Sequence, residues 1–164
     1  MPEGPTGPER VGSAFPLLVI AATELNSASD QLTATISELD AALQKLNLGV
    51  AAWVPFAEGG DETGWYWSRS LGYARVGTTW GIALREVDGD YNNPDRESSD
   101  SWLFNNAPRW MRVDAIGKIP DLLEALIKQA NATTAKLKKK NEQAKELTTV
   151  IRAMTAETKP AANK

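Results

Sequence analysis

Two stretches of the chain keep one beat, a mostly apolar residue alternately every four and every three positions. The first runs Leu18, Ala22, Leu25, Ser29, Leu32, Ile36, Leu39, Leu43 and Leu46. The second runs Ile119, Leu123, Leu126, Ala130, Thr133, Leu137, Lys140, Ala144, Leu147, Ile151 and Met154. This spacing is a heptad seam, which holds an apolar stripe on one side of a helix and lets two helices wind together. Thr133 and Lys140 are polar on the second seam; a Lys there lays its stem over apolar surface and keeps its ammonium in water.

Pro16 and Pro120 suit first helical turns, where a missing N–H loses no partner, and Gly49 stops the first helix. Residues 15–48 and 118–155 are therefore read as two stalk helices, between tails at 1–14 and 156–164 expected to be disordered. An insert joining the end of one helix to the start of the other sets them antiparallel. Leu43 then stands level with Leu123, Leu39 with Leu126, Leu25 with Lys140 and Leu18 with Leu147. Leu18 to Leu46 carries about −3 and Ile119 to Met154 about +3, which favours pairing the two over pairing like with like. Leu17-Leu18-Val19-Ile20 is apolar on every side, so a hairpin alone leaves surface for a second copy, in a four-helix bundle, or for another protein.

Residues 49–117 differ in kind and hold all six Trp residues. Val50–Phe56 reads as an edge strand, limited by Pro55. Trp65–Val76 and Thr79–Val87 flank Gly77-Thr78, a hairpin signal. Residues 58–64 and 88–100 read as loops, and Ser101–Phe104 as a short strand. Pro108–Ile116 reads as a helix able to cap the sheet. The expected fold is α+β: a long antiparallel two-helix hairpin, a coiled-coil-like stalk, with a small antiparallel β-sheet head inserted between the helices.

The chain has no Cys and no His. Thiol chemistry, the usual neutral-pH base and the commonest metal ligand are all missing. Asp88, Asp90 and Asn92 resemble the opening of an EF-hand calcium loop, but Asn93 takes the place of the turn Gly and Ser99 that of the bidentate Glu. No metal site or cofactor is expected. From Val50 to Ala115, six Arg face ten acids, the wrong sign for a phosphate backbone, so nucleic acid is disfavoured. The Lys136–Lys140 run reads as a solvated helix face.

No secretory signal is read at the N-terminus, and the Ala14–Ala22 apolar run is shorter than a bilayer. No membrane partner and a cytoplasmic location are expected. Trp and Arg dominate protein–protein contacts. The chain is therefore read as a non-enzymatic interaction or assembly protein. Its stalk is expected to form a homo-oligomer, and its head to meet a protein partner through Trp67, Arg69, Tyr73, Arg85, Arg109 and Trp110. Three or four of the Trp residues are expected in the core, with Trp67, Tyr73 and Trp110 the best exposed candidates. The alternative is an acidic-residue hydrolase (Glu58, Asp61, Glu62, Glu86) or a calcium-assisted carbohydrate-binding module using the head loops.

Overall fold

The structure is a computed structural model that describes residues 4–157. Helix α1 (Gly7–Lys45) leads into four strands, β1 (Ala52–Gly60), β2 (Trp65–Val76), β3 (Thr79–Asp90) and β4 (Asn93–Leu103). A short 3-10 turn, α2 (Arg109–Ala115), a second such turn and α3 (Ile119–Glu157) follow. The composition is α+β, with the sheet between the two long helices in chain order.

Helix α1 starts at Gly7 rather than at Phe15 because a stronger start signal lies upstream. The Glu9 carboxylate accepts from the Thr6 N–H at 2.8 Å and its hydroxyl at 2.9 Å, a capping box that satisfies orphan donors of the first turn. The same contacts, the backbone N–H first, hold the Glu9 carboxyl below its usual range. Pro16 consequently lies inside the helix, where it removes one ladder bond. The part of the expected N-terminal tail at 1–3, and residues 158–164 of the C-terminal one, lie outside the described residues.

The strands form an antiparallel meander in the order β1-β2-β3-β4. Gly77, at φ 60, turns β2 into β3 at the expected Gly77-Thr78 hairpin. Most of the expected 88–100 loop is strand instead: β3 continues to Asp90, and β4 pairs back from Asn93. Its polar residues concealed it, since eight of its eleven residues are exposed and no apolar alternation marks a face. β1 likewise runs through the start of the expected 58–64 loop, with a bulge at Phe56.

Register places Ala52, Val54, Leu71, Tyr73, Ile82, Leu84 and Trp102 on one face, because directly opposed residues point the same way. The core forms there, where Leu71, Tyr73, Ile82 and Leu84 meet Ile36 and Leu43 of α1, Met111 and Ala115 of α2, and Leu122 and Leu126 of α3. Both seams therefore turn to the sheet where they were expected to turn to each other. α1 lies against β3 and the 3-10 turn at Phe104–Asn106, and α3 against β1 and β2. The reason is area: an apolar sheet face needs cover, and the inner heptads of both helices supply it.

α1 also closes a sheet edge. β4 covers β3 only from Ala83 onward, leaving edge groups of Trp80 and Ile82 without a strand. Asp40 Oδ1 accepts from the Ile82 N–H at 2.8 Å, and Gln44 Nε2 donates to the Trp80 carbonyl at 3.0 Å. Two side chains one helical turn apart thus stand in for a strand. Farther along α1, polar residues hold α2 and the 3-10 turn before it. Arg112 donates to the hydroxyls of Thr33 and Ser29, Asn105 Nδ2 to the Thr33 carbonyl and the Ser37 hydroxyl, and Arg109 to Asn26.

Beyond the head both helices continue as long arms, and every residue in 4–28 and in 134–157 is exposed. The levels expected to zip, Leu25 with Lys140 and Leu18 with Leu147, are open instead: Leu18 is 62% and Leu147 66% exposed.

Candidate functional site

The sequence W-Y-W-S-R puts Trp65, Trp67 and Arg69 on one face of β2 by simple alternation. Pairing sets Arg69 opposite Glu86 of β3, and Arg69 Nε donates to Glu86 Oε2 at 2.6 Å. The guanidinium is sandwiched, 4.3 Å from the Trp67 ring centre and 4.4 Å from that of Trp110 on α2. Trp67 in turn lies over Gly59 of β1, where a Cβ would come within 2.7 Å of the ring. The result is a ladder of ring, cation and ring, fixed from below by an ion pair. Its outer rung, Trp110, is 48% exposed.

Three of the six expected contact residues, Trp67, Arg69 and Trp110, are therefore together. The others are elsewhere. Arg85 faces the opposite side of the sheet, 4.3 Å over the ring of Trp53. Arg109 holds Asn26 of α1 at 3.0 Å. Tyr73 is not available to a partner: it is 3% exposed, opposite Ile82 and Ala52 in the core. Burial, and then the Asp40 charge, push its hydroxyl pKa up. None of the six Trp residues is fully buried; smaller side chains fill the center, and Trp80 and Trp102 only flank it.

A second aromatic group at the far end of the sheet escaped the sequence reading because Tyr91 fell in the expected loop. Tyr66 and Tyr91 stack at 4.4 Å, beside a groove of about 550 Å³ that also involves Trp65, Trp67, Glu58 and Asp61. The Tyr66 hydroxyl donates to Glu97 Oε2 at 2.6 Å. Ionising it would lose that bond and bring two negative charges together, so its pKa is raised to about 12. An acid whose pKa is higher in the folded state holds its proton more tightly there. The stability this adds is complete below the usual value of 10.0 and is lost as pH rises toward about 12. Ultraviolet titration of phenolate should show this late step, and Glu97→Gln should return it toward the ordinary range. An unchanged step in Glu97→Gln would reject the assignment.

Two of the four acids expected for a hydrolase, Glu86 and Asp61, are engaged. Glu86 holds Arg69. Asp61 accepts from the Thr63 N–H at 2.9 Å and from its hydroxyl; the hydroxyl bond first of all keeps its carboxyl below the usual range, the wrong direction for a general acid. In the calcium-like stretch, Asp90 accepts from the Asn92 N–H at 2.8 Å and Asp88 from the Ser98 hydroxyl at 3.1 Å. Among the described residues no group of three or more acids is gathered that could hold a metal ion.

The arms are the other candidate surface. The apolar run read as too short to cross a bilayer is part of α1, and with its neighbours forms an 18-residue window of mean hydropathy 1.3 with none of it buried. By length and composition α1 is thus long and apolar enough to cross a membrane. Compared with models of known families, with curated proteins and with solved structures, the chain matches none.

Proposed function

We propose that this is a non-enzymatic assembly protein, whose helical arms associate in coiled-coil fashion with those of other copies and whose head engages a protein partner. One observation carries the reading. The outer halves of both helices continue the 4-3 seam with Phe15, Leu18 and Leu25 on one and Leu137, Leu147 and Ile151 on the other, all exposed. Helices in proteins draw most of their stability from packing of an apolar face, and contiguous exposed apolar surface marks an interaction site. For the head, the Trp67–Arg69–Trp110 ladder has the residue types and the rigidity of a contact hot spot.

Sedimentation over a range of concentrations tests assembly: a multimer is expected, and a monomer throughout would remove the reading. Trp110→Ala should leave the sedimenting mass unchanged, because the ladder belongs to the head and not to the arms. The runner-up, a carbohydrate-binding head, has the half-open Trp65 and the exposed Tyr91 beside the far groove in its favour.

A further inference from the structure

We infer that the outer arm of α1 in one copy is covered by the outer arm of α3 in a second copy, so that unlike arms build the contact. The inference rests on the assembly reading above and names the surfaces that meet. Both arms present exposed seam residues, Phe15, Leu18 and Leu25 on α1 and Leu137, Leu147 and Ile151 on α3.

Side-chain size selects a register. Set antiparallel with Leu18 against Leu147, the arms bring Phe15 to Ile151, Ala22 to Ala144 and Leu25 to Lys140. Large residues meet large ones, and the two alanines share a level where the backbones can approach. Lys140 meets a leucine that its stem can cover.

Charge selects the same partners. The α1 arm from Gly7 to Ala28 has Glu9 and Glu24 against Arg10, a balance of −1. The α3 arm from 134 to 157 has Lys136, Lys138, Lys139, Lys140, Lys145 and Arg152 against Glu142, Glu146 and Glu157, a balance of +3. Pairing α3 with its own copy would set +3 against +3 and bring Lys140 onto a shared seam. Pairing α1 with α1 gains no attraction. Unlike arms gain it in both halves of a two-fold dimer. Leu17, Leu18, Val19 and Ile20 follow one another at about 100° per residue, so one neighbour leaves part of α1 bare. Two copies contribute four arms, and a four-arm bundle covers α1 on more than one side.

The lack of any Cys makes introduced thiols unambiguous reporters. Ala22→Cys and Ala144→Cys are exposed and small; circular dichroism should show unchanged helix content in each. Mixed and mildly oxidised, the two variants should give a disulfide-linked dimer at least several-fold in excess of that from either alone. Equal cross-linking by Ala22→Cys alone would mean like-arm pairing and overturn the inference while sparing the assembly reading. So would a multimer whose mixture does not cross-link. A chain carrying both substitutions that closes on itself as a monomer would overturn it in favour of the arms of one chain. Flotation with phosphatidylcholine vesicles accompanied by loss of the mixed cross-link would assign α1 to lipid and overturn it too. A monomer with no cross-link would remove both readings.

Discussion

Phe104→Ala is expected to lower stability by about 3–5 kcal/mol, the usual cost of truncating a buried aromatic. Phe104 opens the 3-10 turn after β4 and is 2% exposed. It shares the core with Ile36 of α1, Leu84 of β3, Met111 of α2 and Leu122 of α3, so truncation removes a side chain common to sheet and helices. Domains of ordinary stability hold only about 5–15 kcal/mol in all, and urea slopes are about 1–3 kcal/mol/M. The urea midpoint, followed by Trp fluorescence, should therefore fall by more than about 1 M. Val113→Ala, in the neighbouring α2 but 60% exposed, should stay within about 0.5 kcal/mol of the parent. Equal shifts in the two variants would mean that Phe104 is not central to the core.

Asp40→Ala is expected to be the most damaging substitution among the polar residues of α1. It leaves the Ile82 N–H without an acceptor at a partly buried edge, at a cost of about 1–3 kcal/mol. It also releases Gln44, whose amide donates to Asp40 Oδ2 at 3.1 Å as well as to the Trp80 carbonyl. An uncovered strand edge is a template for pairing with other chains, so light scattering on warming should rise earlier than in the parent. Asp40→Asn keeps an acceptor oxygen in place and should recover most of both effects. If the Ala and Asn variants both behave like the parent, the helix does not cap this edge.

Gly81 shows how closely that cap is fitted. A Cβ there would lie 3.0 Å from Asp40 Oδ2 and 3.2 Å from Leu103 Cδ2. The absence of a side chain at Gly81 lets α1 come close enough for its carboxylate to reach the backbone. Nothing about Gly81 in sequence announces this, because the fit exists only once Asp40 and Ile82, 42 positions apart, meet.

Much of the local structure was legible. The 4-3 spacing showed two long helices, Gly77-Thr78 showed the central hairpin, and W-Y-W-S-R placed Trp67 beside Arg69. The Thr6–Glu9 capping box was also there to be read, but Pro16 offered a competing start and drew attention from it. β4 was hidden for a physical reason: Arg96, Glu97, Ser98 and Ser99 are all exposed, so neither face needed apolar residues to mark it. At the candidate site, β2 alternation brought Trp67 and Arg69 together, but Trp110 reached them only through the placement of α2. Tyr73 misled for the opposite reason. It was expected at the surface, while register put it under the helices beside Ile82.

Periodicity along the chain determined the two long helices and the strands of the central hairpin, since a turn of helix and a pleat of strand repeat over a few residues. Composition excluded thiol and imidazole side-chain chemistry as well. Which surface each leucine seam meets was decided only in three dimensions, because an apolar stripe specifies that it must be covered and not by what. Here the sheet claimed the inner heptads, since an apolar sheet face must be covered by another layer, and the outer heptads were left exposed.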